Sequence, residues 1–170
     1  MLEAKKSVFK VCIVFAVLVA FGMLIVLISY TSIDETTFSI DGARVRFNDL
    51  TYGDLKQFDV PSGTIYIVVD GEDQIDVTTC DYDSSTNIKS ITAIVKNASS
   101  LCNFSVYGVS IGGSADSINA MPKETEHSIT DEAGVQISRY VDKDENVIII
   151  GTDTELGIIS YITIRSGNQN

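Results

Sequence analysis

Apolar residues follow two regimes along this chain. From Val11 to Ile28 they run for 18 positions without a charge, VCIVFAVLVAFGMLIVLI. Beyond residue 36 they alternate with polar residues in short runs, the spacing of strands with one buried face. A helix rises about 1.5 Å per residue, so the stretch from Val8 to Tyr30 reaches about 34 Å, enough to cross a hydrocarbon core of ~30 Å with some tilt. The first regime therefore predicts a transmembrane helix over 8–30, and the second predicts a separately folded domain.

The alternating part predicts its elements in order. Thr37-Phe38-Ser39-Ile40 and the run Ala43 to Phe47 flank Asp41-Gly42, a pair that tolerates positive φ at both turn positions. A hairpin is expected there, with Phe38, Ile40, Val45 and Phe47 facing inward. Thr51, with Asp54 three residues on, reads as the N-cap of a short helix that buries Leu55 and Phe58 and ends at Pro61-Ser62-Gly63. Strands are expected at 64–69, 75–79, 87–96 and, as a single run, 102–111. Ser114 caps a second helix through Asp116, Ile118 and Met121, stopped by Pro122. Residues 123–133 read as charged loop. Closing strands follow at 135–141, 147–150 and 157–164, joined by loops at 142–146 and 153–156. The order of strand, glycine break, capped helix and strands occurs twice. The expected fold class is α+β: an N-terminal transmembrane helix, then an ectodomain of two small modules with antiparallel sheets and short helices. The boundaries are a tail at 1–10, the span at 8–30, a linker at 31–36, modules at 37–100 and 101–166, and a polar tail at 167–170.

The second copy carries residues that look like a known module. Gly108-Val109-Ser110-Ile111-Gly112-Gly113-Ser114, then Ile118, Pro122, Tyr140, Ile148 to Ile150 and Ile158 to Ile164, resembles the module of SmpA/OmlA-type lipoproteins. In that module a strand ends in Gly-x-Ser/Thr and leads into a short helix, a Gly-x-Pro exit and a closing antiparallel sheet. Met121 stands here where the module has glycine. Phe38-Ser39-Ile40-Asp41-Gly42 and Asp54-Leu55 are similar to the hairpin and helix that precede it in single-pass extracytoplasmic proteins of Gram-positive bacteria. The resemblance implies a binding or scaffolding role and supplies no catalytic residue.

Charge sets the expected orientation. Lys5, Lys6 and Lys10 precede the apolar run against only Glu3, whereas the first charges after it are Asp34 and Glu35. The positive-inside bias places the N-terminus in the cytoplasm and residues 31–170 outside the cell membrane. A cleaved signal peptide is the competing reading, but its apolar region spans only about 7–15 residues. Residues 31–170 hold 22 Asp/Glu against nine Lys/Arg, leaving −13. Such a domain repels nucleic acid. The expected partners are the lipid bilayer, through Val8 to Tyr30, and a protein.

Chemistry is sparse. Of three cysteines, Cys12 lies in the span, while Cys80 and Cys102 lie beyond it with 21 residues between them. In an oxidising compartment they are expected to form a disulfide, the alternative being two separately buried thiols. His127 is the single histidine, and no zinc spacing, phosphate loop or dinucleotide fingerprint occurs, so no catalytic residue, metal or cofactor is expected. Asp142, Asp144, Asn146 and Asp153 fall at positions 1, 3, 5 and 12 of an EF-hand count. Val147 occupies the position that needs glycine, and strands flank the segment, so a polar hairpin tip is expected instead. Asp70, Glu72, Asp73 and Asp76 form a second acidic turn. Asn97-Ala98-Ser99 and Asn103-Phe104-Ser105 match glycosylation sequons. The functional expectation is a membrane-anchored extracytoplasmic protein-binding or scaffolding module and not an enzyme. The alternative is a cell-surface hydrolase acting on carbohydrate through Asp/Glu residues.

Overall fold

The computed structural model describes residues 36–71, 73–96, 102–122, 126–132 and 134–167. They all fall within one compact unit, Glu35–Asn170. The expected span, Val8 to Tyr30, lies outside the described residues, and no helix among those described is long and apolar enough to cross a membrane.

The first hairpin forms where the Asp-Gly pair predicts it. Strands β1 (Thr37–Ile40) and β2 (Ala43–Arg46) pair antiparallel around Asp41 and Gly42, at φ of 49° and 81°. Phe38, Ile40 and Phe47 are buried, and Val45 packs against them. Helix α1 (Tyr52–Leu55) is a single turn held by a capping box: the Asp54 carboxylate accepts the Thr51 N–H at 2.9 Å, and the Thr51 hydroxyl accepts the Asp54 N–H. Strands β3 (Ile65–Val68), β4 (Ile75–Asp76) and β5 (Ser90–Ile94) follow. Strand β4 is shorter than expected because the Asp76 carboxylate accepts the Thr78 N–H at 3.0 Å and turns the chain.

Two expectations are corrected in the second half. The single strand expected over 102–111 is a hairpin of β6 (Phe104–Val106) and β7 (Val109–Ser110). Tyr107 and Gly108 make the turn at φ of 48° and 84°, a left-handed pair that glycine makes accessible. The charged loop expected over 123–133 contains β8 (Glu126–Glu132), which pairs with β9 (Val135–Val141) along its whole length. An edge strand needs a backbone partner on one side only, so a charged composition does not prevent it from forming. The second helix is a 3-10 helix over Ala115–Ala120, with the Ser114 hydroxyl accepting the Asp116 N–H at 3.3 Å. Strands β10 (Val147–Asp153) and β11 (Ile158–Arg165) follow.

The described strands form two antiparallel sheets, β2-β1-β6-β7 and β4-β3-β5-β11-β10-β9-β8. The class is α+β, mostly antiparallel sheet with short helices. The boundary expected at residue 100 divides neither sheet. Strand β1 pairs with β6, and β5 pairs with β11, so the halves 37–100 and 101–166 share both sheets and one apolar cluster. Pairing across the halves lets Phe38 and Phe104 stack at 5.1 Å between centroids. A bulge between β10 and β11 shifts the register after Gly151, where Tyr161 is the partner, so that Thr152 faces Ile159. Ser160 is the extra residue, and its hydroxyl donates to the Gly151 carbonyl at 2.9 Å. The slip lets Ile162 and Ile164 face the core on one side of it and Ile159 on the other, all fully buried.

Candidate functional site

The β9–β10 turn builds a polar array. The Asp142 Oδ1 accepts the N–H groups of Asp144 and Asn146 at 3.0 and 2.9 Å, which closes the turn locally. Its Oδ2 accepts the Thr36 hydroxyl. The buried Asn146 amide donates to Thr36 Oγ1 at 2.8 Å and to Asn48 Oδ1 at 2.7 Å. Asp144 Oδ2 in turn accepts the Thr36 N–H and the Asn48 amide, both at 3.2 Å. Three segments far apart in the chain are thus stitched together: the approach to β1, the loop after β2 and the β9–β10 turn. The hairpin tip expected over 142–146 is present, and Asp153 sits at the opposite end of β10 from Asp142.

Electrostatics in this array follow from desolvation. Burial pushes the Asp142 carboxyl above its ordinary range and the Asp144 charge adds to this, against the hydrogen bonds that favour ionisation. Burial also pushes the Tyr107 hydroxyl up to about 12, with the charges of Asp142 and Asp144 acting in the same direction.

A cleft of about 480 Å³ opens beside the array. Its walls are Asn48, Asp49, Asn87, Lys89, Asp144, Asn146 and Ser166. Phe47 and Ile88 lie beneath and are buried. The backbone around it is fixed by bonds from Ile88 N–H to the Leu50 carbonyl at 2.9 Å and from Ser166 N–H to the Lys89 carbonyl at 3.0 Å. Lys89 lies 3.7 Å from Asp70. Gly167 passes so close to the Glu145 carbonyl that a β-carbon there would overlap it.

The residues singled out in the sequence are mostly elsewhere. His127 lies in β8, opposite Tyr140. Among the described residues, no group of three or more His, Cys, Asp or Glu is placed to hold a metal ion. Asp76 in the acidic turn is a structural acceptor. Asn103 is exposed just before β6, and Asn97-Ala98-Ser99 lies outside the described residues. Thr36, Asn48, Asn87 and Lys89 carried no sequence signal, because each meets the site only through distant pairing.

The disulfide expected between Cys80 and Cys102 is not formed, and both thiols are free. Cys80 donates to the Val77 carbonyl at 3.4 Å, and the Tyr52 hydroxyl donates to the Cys80 carbonyl. Cys102 is buried near Thr64 and Asp41, and burial pushes its thiol up to about 11. The two cysteines therefore sit in different surroundings, Cys102 buried and Cys80 half-buried. Thiol titration of the denatured full chain without reductant should give three free groups, including Cys12, whereas a disulfide would leave one.

A second feature is the free edge of β8, with which no other described strand pairs. At its centre Ile129 is 53% exposed. Comparison with protein-family models, with curated proteins and with solved structures finds no match to this chain.

Proposed function

We propose that the chain is a membrane-anchored extracytoplasmic module that holds a protein partner by strand addition at β8. The observation that carries the reading is a seven-residue edge strand with an exposed apolar residue at its centre. An unpaired edge offers a row of backbone donors and acceptors, and an extended partner segment gains affinity from them and specificity from alternate side chains. The anchor rests on the 18-residue apolar run and its lysine flank. Thr36, where the described residues begin, is buried and held by Asp142, Asp144 and Asn146.

The test has two arms. A photo-crosslinking residue at Ile129 should capture a protein from intact membranes, while the same residue at Leu156, 70% exposed at the β10–β11 turn, should not. With Cys80 and Cys102 replaced, a cysteine introduced at Asn168 should label with an impermeant maleimide on intact cells. Equal capture at both positions would remove the β8 reading, and labelling only after lysis would reverse the orientation.

One observation favours the hydrolase as a second reading: Asp49 and Asp144 line the same cleft. Paired carboxylates cleave glycosides when held about 5–9.5 Å apart. Oligosaccharide turnover that disappears in both Asp49→Asn and Asp144→Asn would establish it.

A further inference from the structure

We infer that the cleft beside the β9–β10 turn is a binding site for a neutral saccharide. The inference goes beyond the protein-partner reading and does not depend on the edge of β8. The volume, about 480 Å³, falls within the ~300–1,000 Å³ of small-molecule sites. The walls, however, are polar. Phe47 and Ile88 are 2% and 5% exposed, so an apolar ligand would find almost no surface to cover. A ligand rich in hydrogen-bonding groups suits such a cleft.

The chemistry of the walls narrows the class. The exposed carboxamide of Asn87 presents both a donor and an acceptor, Asp49 and Asp144 only accept, and Lys89 only donates. Hydroxyl groups both donate and accept, so a polyol matches all three kinds of wall. An anion is opposed by the two carboxylates, and the one ammonium is already drawn toward Asp70. A bare cation is opposed for another reason. Among the described residues, no group of three or more His, Cys, Asp or Glu is placed to hold one.

The site is also set before any ligand arrives. Asn146 is 3% exposed and makes two hydrogen bonds through its amide, which fixes Asn48, and Asn48 in turn bonds Asp144. Side chains held by one another lose little freedom on binding, which favours weak polar ligands that cannot offset a large ordering cost.

Saturation-transfer NMR on the full chain tests this, in a zwitterionic detergent without a sugar headgroup. The probes are maltotriose and a β-1,4-linked trimer of N-acetylglucosamine. At least one should show transfer with a dissociation constant on the order of 0.1–1 mM. The double variant Asp49→Ala/Asn87→Ala changes two exposed side chains outside the Asn48–Asn146–Asp144 chain, so it should keep the wild-type melting temperature. It should bind the same sugar at least roughly tenfold more weakly. No transfer from either sugar at about 10 mM, or equal transfer in the double variant, overturns the inference. So does a response of the cleft to calcium where sugars give none. Capture through Ile129 that persists in the double variant leaves the partner reading standing whichever way the sugar experiment falls.

Discussion

Phe104→Ala should destabilise the folded domain by about 3–5 kcal/mol, a large share of the ~5–15 kcal/mol typical of a domain. Phe104 is fully buried and is the largest such side chain among the described residues. It faces Ile40 across β1, and its ring stacks on Phe38 with an interplanar angle of 23°. Removing the ring deletes that stack, worth about 0.5–1.5 kcal/mol beyond its area, and opens a cavity. The strands on either side are fixed by backbone pairing, so the cavity cannot close by collapse. Urea unfolding should show the midpoint falling with an unchanged slope. Leu156→Ala, at an exposed turn, should stay within about 0.5 kcal/mol of the parent. A loss below about 1 kcal/mol for Phe104→Ala would mean that β6 does not pack where it is placed here.

Asp76→Asn should lower stability by about 2 kcal/mol at neutral pH. Burial alone would raise this carboxyl. Four hydrogen bonds outweigh it and hold the group below its ordinary range. Oδ2 accepts the Gly63 N–H at 2.6 Å and the Ser62 hydroxyl at 3.0 Å, while Oδ1 accepts the Thr78 N–H and hydroxyl at 3.0 and 2.9 Å. An asparagine keeps one acceptor oxygen and turns an amide donor toward one pair of donors. The sign of the pH dependence follows. Because the folded group is the stronger acid, its contribution is complete above the unfolded value near 4 and is lost as pH falls through the lower folded value. The gap between parent and variant should therefore be widest near pH 7 and shrink below pH ~4. A gap that is constant with pH would show that the carboxylate charge plays no part in holding these two loops.

What could be read in advance was local. Asp41-Gly42 specifies its hairpin through two backbone angles, and Thr51 with Asp54 specifies a cap through two hydrogen bonds three residues apart. Neither needs knowledge of the rest of the chain. The Tyr107-Gly108 turn was hidden because the residues around it alternate like one continuous strand. Strand β8 was hidden because its charges match those of a loop, and only its pairing with β9 distinguishes the two. The cleft was least legible. Asn146 meets Asn48 98 positions away and Thr36 110 positions away, and no short-range pattern encodes which polar residues a sheet will bring together. The recurrence of strand, break and helix was real as a pattern. It misled as a boundary, because similar segments can pair across the halves as readily as within them.

The place of β11 has a consequence for how the protein is made. This strand lies between β5 and β10, and without it the seven-stranded sheet separates into β4-β3-β5 and β10-β9-β8. A growing chain therefore cannot close this sheet until residues 158–165 have joined it, and contacts so distant in sequence form slowly. Until then the apolar positions of β5 and β10, Ile91 and Ile148 among them, lack the neighbour that covers them. A premature stop anywhere before residue 158 would leave such a chain permanently, as a substrate for chaperones and proteases. Translation through β11 is thus the step that commits this sheet to close.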